Sequence, residues 1–244
     1  MSARMRFLAL LIGLAVLSAC QTRPLMPAVS STPTSLPSAT HLPSSTPTPS
    51  QTPVPTLPPE PSGCLAPPDD YEILQMNGHL FNARTWWMLQ HAAELYGGEL
   101  EITSWAITQG SYHDNGPASF GTHLGGGAVD LSVYRTNTYT VVWDDIPRLL
   151  QALRTAGFAA WLREPDEVHD DSPIHIHAIA IGDRDLSPQA RAQLDGPAGY
   201  FRGYSGLPFP PGGQPTADRY GGPVLCRWME ALGYEDLRQM TPTP

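Results

Sequence analysis

Lysine is absent from this chain. All 14 basic side chains among its 244 residues are arginines, set against 23 carboxylates for a formal net charge of −9. They form no basic cluster, which argues against nucleic acid as a partner, because phosphate-backbone binding needs a concentrated positive surface. Cysteine is scarce too. There are three, none in a CxxC pair or beside a second soft ligand, so a thiolate-held metal is not expected. Nor is there an apolar run long enough to cross a bilayer. The longest, from about Phe7 to Leu17, falls well short of the roughly 20 residues a spanning helix needs.

What is present begins with a leader. Arg4 and Arg6 precede the apolar run, which closes on Leu17-Ser18-Ala19-Cys20. A basic start, a short apolar centre and a small-residue end make residues 1–19 a signal peptide. The LSAC tetrapeptide also resembles a lipobox, where the bacterial lipoprotein pathway diacylates the cysteine and cuts before it. That resemblance implies a lipid on Cys20 and a chain anchored to the extracytoplasmic face of the bacterial cell membrane. The alternative is an ordinary signal peptide cut nearby, with Cys20 incidental. Residues 20–63 are then almost entirely Pro, Thr and Ser. Such a segment cannot bury enough apolar surface to offset the entropy of ordering it, and its prolines favour extended polyproline II. It reads as a disordered, semi-rigid stalk.

The folded part therefore spans 64–244, one domain's worth of residues. With Cys20 assigned to the lipid, Cys64 and Cys226 remain, one at each end of the domain. In an oxidising compartment they are expected to form a disulfide. Helical periodicity and the Gly97-Gly98 stop predict a helix over His79–Tyr96, whose His79 and His91 read as surface or packing residues. Leu100–Thr108 and Ala128–Val133 read as strands, Ile146–Ala156 as an amphipathic helix, and Phe158–Leu162 and Ile174–Ile181 as two more strands. Ser187-Pro188 opens a short helix by N-cap and first-turn preference. A Gly/Pro-rich loop over Gly196–Gly222 precedes a last helix at Val224–Leu232, with an extra turn to Gln239. The pattern is α+β: a small, mainly antiparallel sheet with packed helices.

Two stretches carry the chemistry. In Gly121–Ser132 (GTHLGGGAVDLS), His123 stands ahead of Asp130 across three glycines that let the backbone turn tightly. An Asp inside the apolar strand AVDLSV needs a charge partner if it is buried. In Ile174–Gly182 (IHIHAIAIG), His175 and His177 fall at i and i+2, so both project from one strand face. They could share a metal, or one could ligate while the other acts beside it; two surface histidines on an edge strand is the bland alternative. Imidazole, carboxylate and a second imidazole suit Zn²⁺ with one position open to water.

HLGGGAVD also fits the H-x-x-G-x-A-x-D pattern of the zinc D-alanyl-D-alanine peptidases and of the Hedgehog signalling domain, which share a fold. HIH resembles the Hedgehog form of the third-ligand segment, and ITQGSYH occupies the place of the ITSGYRS-like stretch before the first ligand. The resemblance covers roughly Ile102–Asp183. It implies a Hedgehog/DD-peptidase-like fold, with His123, Asp130 and His177 as zinc ligands, His175 beside them and Asp171 at the acidic position that serves as base. Two positions depart from the pattern. No Arg lies between Arg84 and Arg135 to hold a substrate carboxylate, with His113 the nearest stand-in, and Asp171 replaces the usual Glu, with Asp170, Glu167 and His169 as neighbouring candidates. The implied activity is zinc-dependent hydrolysis of peptidoglycan peptides, as a carboxypeptidase, an endopeptidase or an amidase-like enzyme. A non-catalytic zinc-containing binding module is the other expectation.

Overall fold

The computed structural model describes residues 59–114 and 116–239. The expected leader, the expected lipidation at Cys20 and most of the expected stalk fall outside the described residues. The chain's first paired element is a hairpin, β1 (Ile73–Met76) with β2 (His79–Asn82), joined by Asn77-Gly78. Both turn residues have positive φ, 52° and 85°, the conformation for which Asn-Gly is the preferred pair in a two-residue hairpin. The helix expected from His79 therefore starts later, as α1 (Ala83–Tyr96). Asn82 ends the strand and caps the helix, its side chain accepting from the Thr85 N–H at 2.8 Å.

A second correction concerns Leu100–Thr108. Its alternation comes from consecutive turns that bury Leu100 and Ile102, and only β3 (Ile107–Gln109) is strand. The remaining elements follow the sequence closely: β4 (Ala128–Ser132), α2 (Ile146–Ala156), β5 (Phe158–Arg163), β6 (His175–Ala180) and α3 (Pro188–Asp195). Ser187 caps α3 as expected, accepting from Ala190 N–H. The last helix, α4 (Arg227–Ala231), is shorter than Val224–Leu232, and a 3₁₀ turn occupies Leu237–Gln239. The Cys64–Cys226 disulfide is formed, with Cα atoms 5.7 Å apart. No helix among the described residues is long and apolar enough to cross a membrane.

The architecture is thus α+β, around a four-stranded antiparallel sheet ordered β3-β4-β6-β5. Strand alternation gives the sheet two different faces. Val129 and Leu131 on β4, Ile176, Ala178 and Ala180 on β6, and Phe158, Ala160 and Leu162 on β5 enter one core with α1 and α2. The opposite face is divided along its length. Ala159, Ile179 and Ile181 pack beneath Leu186, Ala190 and Leu194, at and just before α3. Beyond them the same face turns polar.

Candidate metal centre

The polar half of that face consists of two cross-strand rows. Gln109, Asp130, His177 and Trp161 are in register across β3, β4, β6 and β5, and Ser132, His175 and Arg163 form the next row. Directly opposed residues of antiparallel strands share a face, so one carboxylate, two imidazoles and a guanidinium are brought together by pairing alone. His123 is delivered from outside the sheet, in the 3₁₀ turn Thr122–Leu124. Two glycines make this delivery possible. A Cβ on Gly125 would collide with the backbone oxygen of Asp185, and Gly127 lies at φ 81°, which L side chains rarely adopt. The turn is then tied to the 110–113 segment, with Tyr112 N–H donating to Gly125 C=O and His113 N–H to His123 C=O, at 2.9 and 2.8 Å.

His123, Asp130 and His177 converge. Nε2 of His123 lies 3.3 Å from one Asp130 oxygen and Nδ1 of His177 lies 2.7 Å from the other. One ligand atom from each residue falls within 4.8 Å of the others. His123 and His177 are 1% and 6% exposed. Each outer nitrogen is engaged: His123 Nδ1–H donates to Gly110 C=O at 2.8 Å, and His177 Nε2 meets Gln193 Oε1 at 3.1 Å. Trp161 stacks on His177 with rings 13° from parallel. Such contacts fix tautomer and ring orientation in metal sites.

The electrostatics of the triad couple one buried carboxylate to two imidazoles, of which one is favoured to carry a proton. Burial pushes the Asp130 carboxyl up, but the charges and hydrogen bonds of two imidazoles together overcome this and hold it well below the usual carboxylate range. Burial also opposes charging His123; here the adjacent Asp130 carboxylate prevails and raises its pKa. For His177 burial wins and pulls the pKa down to about 4, with charged His123 and Arg163 opposing a second imidazolium. A neutral His177 has one N–H but faces two oxygen acceptors, Asp130 Oδ1 and Gln193 Oε1. The conflict is relieved either by turning the Gln193 amide, so that its NH2 donates to Nε2 while Nδ1–H donates to Asp130, or by a cation between Nδ1 and the carboxylate. With Nε2–H given to Gln193, the lone pairs of His177 Nδ1 and His123 Nε2 and the Asp130 oxygens form a donor set for a cation. A second His/Cys/Asp/Glu group, Glu60 with Cys64 and Cys226, offers no thiolate because its cysteines are bonded to each other.

A pH dependence follows. Metal must displace a proton from His123 below that residue's raised pKa, whereas His177 takes one only near pH 4. Zn²⁺ affinity is expected to fall about tenfold per pH unit as pH drops from about 6 to 5, one proton's worth. Competition with a chromophoric chelator measures this; a two-proton slope in that range would contradict a His177 that stays neutral down to about pH 4.

The triad floors an open cleft of about 340 Å³. Among the sequence candidates, His175 and His169 line it, whereas Asp171, Asp170, Glu167 and His113 are not among the lining residues. Asp171 is exposed in a turn at φ 64°, its N–H donating to Asp166. Glu167 is turned to Arg219, 3.9 Å away, and His113 is exposed. Of the catalytic candidates Asp171, His175 and His113, only His175 lines the cleft, one cross-strand row from His177. Its Nδ1–H donates to Pro173 C=O at 2.8 Å, which leaves Nε2 free. Sequence reasoning missed Gln193, Trp161 and Arg163. The strand register supplies the signal for the last two, since Trp161 and Arg163 stand opposite the two histidines.

Comparison of the chain with models of known protein families, with curated proteins and with solved structures finds no match.

Proposed function

We propose that the domain is a zinc-dependent hydrolase of peptide amides, with peptidoglycan peptides as its substrate class. The observation that carries this reading is the convergence of two oriented imidazoles and one carboxylate on the floor of an open cleft. Three protein ligands with a further position open is the arrangement of catalytic rather than structural zinc. The motif resemblance to D-alanyl-D-alanine peptidases and the Hedgehog domain points the same way. An export signal and stalk would hold the cleft at the cell wall. Zinc held there would supply Lewis acidity toward a water and a carbonyl oxygen. The chain's own contribution to proton transfer is His175, whose Nε2 is free to take a proton from water and pass it to the leaving amine. Gln193 and Gly110 keep the two ligand rings oriented, and Trp161 shields one side of His177.

One observation favours the second reading, a zinc-containing binding module. Asp130, itself a ligand, is the one carboxylate among the cleft-lining residues. Incubation of purified muropeptides with the zinc-loaded chain separates the two. Release of new amines is expected, reduced about 10²–10⁴-fold in His175→Ala and unchanged in Asp171→Ala. Binding of muropeptides without any release would establish the module instead.

A further inference from the structure

Five buried side-chain nitrogen or oxygen atoms among the described residues have no hydrogen-bond partner, and three of them belong to residues of the cleft wall: Gln109 Nε2, Ser119 Oγ and Arg163 Nη2. Buried polar groups are normally satisfied, so such a concentration is informative. Arg163 is the most costly. It is 1% exposed, and burial pulls its pKa down to about 10, which still leaves it charged at neutral pH. Its Nη1 donates to Ser205 C=O at 2.8 Å and its guanidinium lies 5.1 Å from the Trp161 ring centre. Neither contact neutralises it. Glu167, Asp130 and Asp218 lie near enough to favour its charge, but none hydrogen-bonds it and each is shared: Asp218 pairs with Arg154 at 2.6 Å, Glu167 with Arg219, and Asp130 with the two imidazoles. Arg163 also borders a cavity of about 20 Å³, room for about one water, which could satisfy an N–H but not a charge. A buried guanidinium that shares every nearby carboxylate with another cation is only partly compensated, and is expected where a ligand supplies further negative charge.

We propose that Arg163 is an anion-recognition position of this cleft, binding a ligand oxyanion one cross-strand row, roughly 7 Å along the strand, from the metal-ligating residues. A ligand would lie across the rows, its anionic group at Arg163 and an uncharged polar group near Asp130 and His177. Gln109, in register with Asp130, supplies a second unpartnered donor on the far side. This assignment does not depend on hydrolysis, since enzyme and binding module alike would use it.

The test compares N-acetylglycine, its neutral amide and inorganic phosphate, titrated into the purified chain with and without Zn²⁺. Wild type should bind N-acetylglycine or phosphate at least about tenfold more tightly than the amide, the difference a charge-assisted contact makes. Arg163→Gln and Arg163→Met should reduce that ratio to within about twofold while zinc content stays unchanged, and Arg163→Lys should retain part of it. Preference for N-acetylglycine assigns the position to carboxylates, and preference for phosphate assigns it to phosphoryl groups. A guanidinium kept for ligand binding also predicts that Arg163→Met melts no lower than wild type without probe. Equal binding of all three probes by wild type, full discrimination in Arg163→Met, or unfolding of that variant would each overturn the proposal.

Discussion

His177→Ala should lower Zn²⁺ affinity by more than about 100-fold, and His123→Ala should do the same. The lower bound comes from residues that only orient a ligand, whose loss already costs about 10–100-fold. Removing the imidazole itself leaves two of three ligand groups, and nothing among the described residues stands ready to replace it. His175, the nearest imidazole in sequence, is on the same strand face but in the next cross-strand row, with Nδ1 committed to Pro173. Gln193→Ala provides the graded control. It removes only the acceptor that holds His177 Nε2–H, so its loss should fall within the smaller range. Chelator competition at fixed pH reads all three, and circular dichroism confirms that each variant is folded. Retention of wild-type affinity in both histidine variants would sink the site.

Loss of the Cys64–Cys226 bridge should have the largest effect on stability. The two cysteines are 162 residues apart, so the bridge restricts almost the whole unfolded domain. In the chain-entropy picture a loop of that length corresponds to about 5 kcal/mol. Typical domains have only about 5–15 kcal/mol in all. Cys226 is fully buried among residues such as Phe201 and Met229, at the start of α4, so a polar replacement also disturbs packing. Cys226→Ala keeps the site apolar and isolates the covalent contribution. Its melting temperature should drop by more than about 10 °C, and mild reduction of wild type should reproduce the drop. A change of less than about 2 °C would show that the ends are held by packing alone.

How much of this was legible beforehand differs by element. The helix α2 and strands β4, β5 and β6 were readable because their apolar period agrees with their burial. The start of α1 was misplaced because apolar spacing near His79 outweighed the Asn77-Gly78 hairpin signal two residues earlier. Leu100–Thr108 misled because turns can bury alternate residues as a strand does. The candidate ligands were legible in part: spacing sets His123 and Asp130 within one glycine turn but leaves His175 and His177 equivalent on one strand face, and only the motif resemblance singles out His177. Arg163 was not, because it closes an apolar strand, FAAWLR, where a terminal arginine ordinarily reaches solvent. Its burial depends on the 205–220 segment, far away in sequence, folding over it. The same limit applied to Asp171. Its spacing to the histidines fits the motif, but the turn that carries it leaves it exposed, outside the cleft wall.

The central claim is that His123, Asp130 and His177 hold zinc through two nitrogens and a carboxylate with a position left open. X-ray absorption at the zinc edge, on the chain purified with stoichiometric Zn²⁺, tests it most directly. The expected first shell is four light atoms at about 2.0–2.2 Å with the outer-shell scattering of two imidazoles. A sulfur shell near 2.3 Å, a six-oxygen shell without imidazole scattering, or loss of the zinc on desalting would contradict it.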